Sequence, residues 1–311
     1  MENKTYALVT GATSGFGFEF SKLFAAAGYN LVMVARSHEQ LENVSAEIRA
    51  QFDIKIETLA VDLFKPEAAE QVYNAAKQKG IEVEFLINNA GQGEYGKFWE
   101  YDLSRDVDLI TLNVTSLVGL TKFFLRDMIT RRRGRILQVS SLLGKVPSPL
   151  MAVYAGTKAF VMSFTAGLIE ELDGTGVTVT ALLPGAADTD FFHKAGAQET
   201  KTYRDQELQS PEQVARDGFE ALMRGDSKIV SGLKNKIQSA MSNVMPDSAL
   251  TSTMEKQMSP SETEDGRERI THKPSAAERA RIQRESGSIT GDQPGHEGHV
   301  HKTKGESQET S

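Results

Sequence analysis

The chain has 311 residues, of which 39% are hydrophobic and 25% are charged, a composition that is ordinary for a globular protein. Its formal net charge of −7 argues against nucleic acid or an anionic membrane as the main partner, because both select basic surfaces. The chain contains no cysteine, which excludes disulfides, thiolate nucleophiles and iron–sulfur clusters. A small molecule is the partner that fits best.

The first residues carry no sign of export. Met1–Lys4 lead directly into an apolar run, without the charged and apolar regions of a leader peptide. The apolar runs have the length of strands and fall well short of the roughly 20 residues that span a bilayer. We therefore predict a cytoplasmic protein with no membrane span.

From Tyr6 to about Val244, short apolar runs alternate with longer segments of helical periodicity, which is typical of βαβ units and a parallel sheet. The predicted strands are Tyr6–Thr10, Asn30–Ala35, Ile54–Val61, Glu84–Asn88, Gly134–Ser140, Thr178–Leu183 and Lys228–Val230. The predicted helices are Phe16–Ala27, Glu39–Gln51, Pro66–Lys79, Leu103–Arg131, Ala152–Leu172 and Pro211–Arg224. The pattern predicts an α/β fold in which helices cover both faces of a doubly wound, parallel, seven-stranded sheet.

The last eighty residues fall into two parts of different composition. Residues 233–258 carry apolar side chains at roughly helical spacing, which predicts one or two helices at the edge of the domain. After residue 259 small and charged residues dominate and aromatic residues disappear. Such a segment buries too little apolar surface to offset its ordering entropy. We predict one domain over residues 1–258 and a disordered polar tail over residues 259–311.

A glycine-rich turn joins the first predicted strand to the first predicted helix. Glycines at this place let the backbone approach a pyrophosphate, which binds to the free N–H groups and the positive dipole of the helix N-terminus. Glycines also serve as ordinary loop residues, but the strand before and the helix after favour nucleotide binding. The cofactor contacts predicted in this turn are Gly11, Thr13, Ser14, Gly15, Phe16 and Gly17.

The second predicted strand ends in Ala35-Arg36-Ser37, where the adenine ribose of a dinucleotide would lie. An acidic residue there would accept hydrogen bonds from a free 2′-hydroxyl, whereas an arginine neutralises a 2′-phosphate. Arg36, with Ser37 beside it, therefore favours NADP over NAD. The alternative is that Arg36 is simply a solvated residue at a strand end.

Tyr154 and Lys158 are four residues apart near the start of a predicted helix, so both side chains emerge from one helical face. A phenol has a reference pKa near 10, and an adjacent ammonium favours the phenolate that acid/base work at neutral pH requires. The same spacing is common on helix surfaces. Whether Tyr154 and Lys158 form a reactive pair therefore depends on the order of the other motifs along the chain.

Taken together, these motifs resemble those of the short-chain dehydrogenase/reductase family, in its single-domain branch with a Rossmann-type fold. The resemblance extends from about Tyr6 to Val230. It implies the catalytic set Asn113, Ser141, Tyr154 and Lys158, in which Ser141 is chosen over Ser140 because it lies thirteen residues before the tyrosine. The further cofactor contacts that it implies are Asp62, Leu63, Asn89, Ala90, Gly91, Tyr154, Lys158, Pro184, Gly185 and Thr189. The amides of the Asn88–Gly91 segment are equally compatible with a simple turn.

The resemblance implies an NADP(H)-dependent oxidoreductase that transfers a hydride to or from a carbonyl or carbinol carbon, without a metal. Tyr154 would be the general acid, Ser141 would bind the substrate oxygen, and Asn113 would position a water. Lys158 would hold the nicotinamide ribose and lower the pKa of the tyrosine. Residues 92–98, 142–150 and 186–196 would line a mostly apolar cleft. A non-catalytic dinucleotide-binding redox sensor or scaffold is the alternative.

Two other polar clusters have simpler explanations. The basic run Arg131–Arg135 follows a predicted helix, where cations complement the C-terminal dipole, so no nucleic-acid partner is predicted. Three histidines in the polar tail, His296, His299 and His301, lack a fixed geometry, so no metal site is predicted.

The resemblance implies a homodimer or homotetramer that forms through the two helices Leu103–Arg131 and Ala152–Leu172.

Overall fold

The computed structural model describes residues 5–242 and 244–261. The strands are β1 (Tyr6–Thr10), β2 (Asn30–Ala35), β3 (Ile56–Ala60), β4 (Val83–Asn88), β5 (Gly134–Val139), β6 (Val177–Leu183) and β7 (Lys228–Val230). The helices are α1 (Gly15–Ala26), α2 (His38–Arg49), α3 (Ala68–Gln78), α4 (Leu103–Ile110), α5 (Ser116–Thr130), α6 (Ala152–Glu171), α7 (Phe191–Ala195), α8 (Lys201–Arg204), α9 (Pro211–Arg224), α10 (Leu233–Met241) and α11 (Asp247–Met258).

The strands form one seven-stranded parallel sheet in the order β3-β2-β1-β4-β5-β6-β7, which confirms the predicted Rossmann-type architecture. Helices α1, α2 and α9 cover one face, where Phe20 and Phe24 are fully buried. Helices α3, α5 and α6 cover the other face, where Leu120 and Met128 lie in the core. The strand order reverses between β1 and β4, so the loops diverge there and leave a crevice at the carboxyl edge.

The predicted helix Leu103–Arg131 is not uniform. A π-helical turn, Thr111–Thr115, separates α4 from α5, and Ser116 N–H donates to the carbonyl of Thr111 five residues earlier. Single π-turns inside helices occur often at functional sites, because the extra residue changes the direction of neighbouring side chains. This turn contains Asn113, a member of the predicted catalytic set. Periodicity alone missed it, since one inserted residue barely disturbs the apolar pattern.

Other boundaries differ by a few residues. Helix α3 begins at Ala68, so Pro66 precedes it rather than occupying its first turn. The short helices α7 and α8 were not predicted. Residues 233–258 form two helices, within the predicted one or two.

The chain remains hydrogen-bonded to the domain beyond the predicted start of the tail. Lys201 N–H donates to the carbonyl of Ser259 at 3.0 Å, and Ser261 N–H donates to that of Glu199 at 2.7 Å. Within the described residues, hydrogen bonds therefore connect the chain to the domain as far as Ser261. The remainder of the predicted tail, with its three histidines, lies outside the described residues.

Two helical segments, Leu103–Thr130 and Ala152–Glu171, are long and apolar enough by composition to cross a membrane. In this fold both pack along the sheet, with 44% and 33% of their apolar windows buried. Helices that pack on the core of a globular protein can meet the same criterion of length and composition. This finding therefore does not decide whether the chain spans a membrane, and the absence of a span stays a prediction. Within residues 5–242 and 244–261 there is no group of three acidic or histidine side chains that could hold a metal ion.

Candidate active site

The turn after β1 has the geometry of a phosphate cradle. Gly11 and Gly15 have φ of 65° and 53°, a region that favours glycine. A Cβ on Gly17 would lie 2.1 Å from the carbonyl oxygen of Gly11, so only glycine fits there. Ser14, the N-cap of α1, makes no side-chain capping hydrogen bond, which leaves N–H donors at the helix start for a ligand. The turn therefore fits the pyrophosphate of a dinucleotide.

The segment after β4 fixes this turn from behind. Asn89 Nδ2 donates to the carbonyl oxygen of Thr10 at 2.8 Å, and the N–H groups of Asn89 and Ala90 both donate to Thr10 Oγ1 at 3.0 Å. The Asn89 side chain is thus committed to holding β1 and β4 together. Its contact with a cofactor would come through its backbone or through the turn that it supports.

The predicted adenine-side residues lie at the other end of the carboxyl edge, beyond β2 and β3. The Arg36 guanidinium carbon lies 5.0 Å from the ring centroid of Phe64, and the side chain remains exposed. Asp62 Oδ1 accepts a hydrogen bond from Phe64 N–H at 3.2 Å, which places the ring beneath the arginine. Ser37 Oγ caps α2 by accepting from Gln40 N–H at 3.2 Å. Leu63 is buried. The supporting ring of Phe64 was missed, since nothing in its sequence context marks it.

Tyr154 is buried beside Ser141 at the end of β5. Its side chain is 7% exposed, and burial raises the pKa of the phenol to about 12, against a lowering effect of its hydrogen bond with Ser141. Ser141 Oγ also accepts from Leu143 N–H at 3.1 Å, which holds the hydroxyl at the strand end. Ser140 Oγ donates to the carbonyl oxygen of Lys158 at 2.8 Å, so its hydroxyl links β5 to α6.

Lys158 lies one helical turn after Tyr154 and is 4% exposed. Burial lowers the pKa of its ammonium to about 8. Its Nζ donates to the carbonyl oxygen of Val139 at 2.9 Å and lies 5.7 Å from the centroid of the Tyr154 ring. The expected lowering of the tyrosine pKa by this lysine is not found: burial dominates both groups and moves the tyrosine pKa upward. Among the described residues Val139 is the one hydrogen-bond acceptor of Nζ, so further donors are available for ribose hydroxyls.

Asn113 reaches the same place from the opposite side. Its Nδ2 donates to the carbonyl oxygen of Gln92 at 2.9 Å and to Thr157 Oγ1 at 3.1 Å, while its Oδ1 accepts from Gln92 N–H at 3.1 Å. A Cβ on Gly91 would lie 3.2 Å from both Asn113 Oδ1 and Lys158 Nζ. Asn113, Gly91 and Lys158 therefore converge. Gln92 and Thr157 were missed as supporting residues, because their pairing with Asn113 depends on the π-turn.

The loop after β6 closes the other side of the crevice. Leu142 N–H donates to the carbonyl oxygen of Pro184 at 3.0 Å, and Gly185 N–H donates to Gln209 Oε1 at 3.1 Å. A Cβ on Gly15 would lie 3.1 Å from Thr189 Cγ2, so the threonine stands over the glycine turn. The residues predicted to contact pyrophosphate and nicotinamide are thus adjacent across the crevice.

An apolar lobe covers the tyrosine, and most of its buried residues come after β6. The ring of Phe191 lies 5.1 Å from that of Tyr154, and Phe192 lies 5.1 Å from Tyr203. Tyr95 Oη donates to the carbonyl oxygen of Met258 at 2.7 Å and so joins the loop after β4 to the end of α11. Besides the tyrosine that it covers, the buried members of the lobe are Met151, Phe192, Ala195, Ala197, Tyr203, Met254 and Met258.

Comparison with known proteins places this site in a family. The short chain dehydrogenase model matches residues 5–200. A very-long-chain 3-oxoacyl-CoA reductase of Bos taurus is 36% identical over 185 residues, which are 58% of this chain and 58% of the bovine protein. The chain therefore matches somewhat more than half the length of that relative.

Two solved structures share the fold. A short-chain dehydrogenase from Sphingobium yanoikuyae in complex with NADPH superposes with a TM-score of 0.67 at 28% identity, covering 78% of this chain and 96% of that one. A 7β-hydroxysteroid dehydrogenase gives a TM-score of 0.72 at 26% identity, covering 81% and 96% of the two chains. With the parallel sheet, the glycine turn and the match over residues 5–200, these likenesses establish that the chain belongs to the short-chain dehydrogenase/reductase family of oxidoreductases.

Proposed function

We propose that this protein is an NADP(H)-dependent oxidoreductase that interconverts a carbonyl and an alcohol on a largely hydrophobic small molecule. The observation that carries the proposal is the convergence of Ser141, Tyr154, Lys158 and Asn113 at the carboxyl ends of β4 and β5. All four side chains are buried. Burial of so many polar groups costs stability, and a non-catalytic scaffold gains nothing from it.

The acid in the reducing direction is Tyr154. Because burial raises its pKa to about 12, the phenol is protonated at neutral pH and has a proton to donate. Ser141, which is hydrogen-bonded to the phenol, would donate to the same substrate oxygen and stabilise its developing negative charge. Bound NADPH supplies the hydride. Tyr154 then delivers its proton to the alkoxide oxygen.

Lys158 and Asn113 would restore that proton. The lowered pKa of Lys158, about 8, lets its ammonium release a proton readily near neutral pH. Asn113 is held by Gln92 and Thr157, and its Oδ1 lies close to the same Gly91 backbone as Lys158 Nζ. This arrangement suits a water that connects the lysine to solvent. Lys158 would also bind the nicotinamide ribose through its remaining N–H donors.

Arg36 supports the choice of NADP. Its guanidinium is exposed and stacked on Phe64, so it is held in place at the end of β2 yet free to pair with a 2′-phosphate. No carboxylate occupies this position to accept a ribose hydroxyl. The related Sphingobium enzyme is in complex with NADPH, which supports the same choice.

The apolar lobe supports a substrate with a hydrophobic body. The ring of Phe191 packs against Tyr154, and Phe192 and Tyr203 belong to the same apolar cluster. The relatives include a reductase of very-long-chain 3-oxoacyl-CoA and a hydroxysteroid dehydrogenase, both named for substrates with large apolar parts. We propose a bulky ketone or its alcohol as the substrate class.

We also propose that the protein assembles as a homodimer or homotetramer through α4, α5 and α6. Leu103, Val107 and Ile110 lie at helical spacing on α4 and are exposed, as is Phe160 on α6. A surface of this kind on a globular protein usually marks an interface. Light scattering of Val107→Asp against the unaltered protein would test it: a fall to monomer mass supports the assembly, and an unchanged mass excludes this surface.

The function is tested by following NADPH absorbance while the purified protein meets a panel of bulky ketones, aldehydes and diketones. NADH is run in parallel. We expect turnover of some members with NADPH and much slower turnover with NADH. Tight NADPH binding without consumption of any carbonyl would favour a redox sensor or scaffold, and failure to bind either dinucleotide would refute the proposal.

A further inference from the structure

Helix α10 is amphipathic, but it is oriented with its apolar side toward solvent. At about 100° per residue, Leu233, Ile237 and Met241 fall on one side of the helix axis, and Val244 follows shortly after the helix ends. These four side chains are 75%, 55%, 54% and 83% exposed. In α10 itself, only Ser239 is buried. A surface helix of a globular protein normally has the reverse orientation, so this apolar stripe is built to contact something else.

The inward side of α10 is polar and firmly attached. Asn235 Nδ2 donates to Gln209 Oε1 at 2.7 Å and to the carbonyl oxygen of Ser231 at 2.9 Å. Lys145 Nζ donates to the carbonyl oxygen and the hydroxyl of Ser239 at 2.8 and 2.7 Å. These bonds fix the rotation of the helix about its axis. The outward direction of the apolar stripe is therefore set by the fold.

The charged side chains of α10 are both positive, in contrast to the net charge of the chain. Lys234 and Lys236 are exposed on α10, and their positions fall on opposite borders of the stripe. Lys228 on β7 is exposed as well, and no acidic residue occurs in the sequence between Asp226 and Asp247. Apolar residues bordered by lysines are the pattern of helices that lie in the interface of an anionic bilayer.

A second copy of the chain fits this surface less well. In a twofold interface the same patch faces itself, so the lysines that border the stripe would meet lysines of the partner. Like charges placed opposite one another disfavour association. A layer of anionic headgroups complements both the stripe and its borders.

Helix α10 also lies against the loops of the active site. A Cβ on Gly185 would lie 2.4 Å from Asn235 Nδ2, and Gln209 bonds both Asn235 and the N–H of Gly185. Lys145, which holds Ser239, belongs to the turn that follows Ser141. A surface that contacts α10 therefore lies beside the carboxyl edge of the sheet, where the substrate enters.

We propose that α10, together with the exposed Val244 that follows it, is an interfacial anchor that binds an anionic lipid surface and holds the active-site edge of the protein against it. The helix lies in the headgroup layer and does not cross the bilayer. The stripe inserts among the acyl chains, while Lys234 and Lys236 contact the phosphates. A hydrophobic carbonyl compound dissolved in the membrane would then reach the cleft without passing through bulk water.

The test is sedimentation of the full chain with vesicles of phosphatidylcholine alone and of phosphatidylcholine mixed with phosphatidylserine. Binding needs no turnover, so this result is independent of the proposed catalytic activity. We expect binding to the mixed vesicles, weakened by added salt. Ile237→Ser combined with Met241→Ser should reduce the partition coefficient by about tenfold or more. Lys234→Gln combined with Lys236→Gln should remove the dependence on phosphatidylserine and salt.

Ile129→Ser is the matched control, because Ile129 is an exposed isoleucine near the end of α5, far along the chain from α10 and separate from the exposed residues of α4 and α6 on which the proposed assembly is argued. It should leave vesicle binding unchanged. Thermal unfolding of each variant shows whether the fold is preserved. The proposal is overturned if the unaltered protein ignores both kinds of vesicle, or if the Ile237/Met241 variant binds as well as the unaltered protein. It is equally overturned if that variant loses only its oligomeric mass, which would identify the stripe as a contact between copies.

Discussion

The carboxyl edge of the sheet joins two regions that are held in different ways. The nucleotide side is fixed by backbone geometry and short polar contacts, such as the bond from Asn89 to Thr10 and the close approach of Gly17 to Gly11. The apolar lobe over Tyr154 is held by packed rings and by contacts between distant segments, such as Tyr95 with Met258, which are 163 residues apart.

This difference indicates that the nucleotide side of the site is rigid and that the substrate side can adapt to its ligand. The pyrophosphate group of a nicotinamide dinucleotide is always the same, and a turn that tolerates only glycine provides a fixed cradle for it. The lobe has a smaller buried cluster than either face of the sheet and includes short helices, so we expect it to open at lower free energy than the sheet does. We therefore expect substitutions on the nucleotide side and at the catalytic centre to have large effects, and those in the lobe to have small effects confined to the substrate.

The largest effect is expected at the catalytic centre. Tyr154→Phe removes the acid while retaining the ring that packs on Phe191, so kcat should fall by about a thousandfold. NADPH binding, followed by fluorescence, should change little because the glycine turn is untouched. A loss of less than about tenfold in kcat would assign the proton to another group.

The second substitution lies at the boundary between the two regions, and we expect it to lower activity while it raises stability. Lys158→Met should lower kcat by at least about a hundredfold. It should also raise the free energy of unfolding at pH 7 by roughly 1 to 3 kcal/mol, since burial lowers the pKa of Lys158 to about 8 and the wild type bears that cost.

The sign of the pH dependence follows from the lowered pKa. Below pH 8 the lysine is charged in both states, so the variant has its full advantage. Between pH 8 and 10.5, the pKa of lysine in the unfolded chain, Lys158 of the wild type is protonated only in the unfolded state. The free energy of unfolding of the wild type therefore rises with pH over this range, and the greater stability of Lys158→Met disappears. Urea unfolding at pH 7 and pH 10 measures the difference in stability between Lys158→Met and the wild type. Lys122→Met, on the exposed side of α5, is the control. A variant that is less stable at pH 7 would contradict the account.

The third substitution acts at the adenine end alone. Arg36→Ala removes a guanidinium that would make charge-assisted hydrogen bonds to a 2′-phosphate, so KM for NADPH should rise by about 10- to 100-fold. KM for NADH should stay unchanged. The exposed Arg126 on α5 provides the matched Arg126→Ala control. An equal rise for both dinucleotides would show that Arg36 does not read the phosphate.

The smallest effect is expected in the lobe. Tyr95→Phe deletes the hydrogen bond to Met258, worth about 1 kcal/mol, and should raise KM for the carbonyl substrate by about two- to fivefold. KM for NADPH should not change. Tyr73→Phe removes a hydroxyl that bonds Asp127 between α3 and α5, so it should cost similar stability without altering either KM. Identical kinetic effects of the two changes would remove the distinction between lobe and scaffold.

The contrast between the regions also explains what could be predicted from sequence. The seven strands and the glycine turn follow from local patterns, because a buried parallel strand and a strand–turn–helix each occupy a short stretch of chain. The support of Asn113 by Gln92 could not be predicted, since it depends on a π-turn that adds one residue to a helix. The pKa of Tyr154 went in the unexpected direction because sequence spacing shows a neighbouring charge but not the depth of burial.

The outward orientation of the apolar side of α10 could not be predicted from the sequence either. Its apolar spacing predicts a helix at the domain edge, but the same spacing fits a helix packed on the core. Only the bonds of Asn235 and Ser239 to the domain show which side faces in.

The central claim is that the protein transfers a hydride to a carbonyl carbon with Tyr154 as the acid. Its most direct test uses NADPH deuterated at the transferable C4 position, with the best ketone from the panel. We expect one deuterium on the carbinol carbon of the product from the unaltered protein, and almost no product from Tyr154→Phe. Product whose carbinol hydrogen comes from water, or equal labelled product from the Tyr154→Phe variant, would contradict the account.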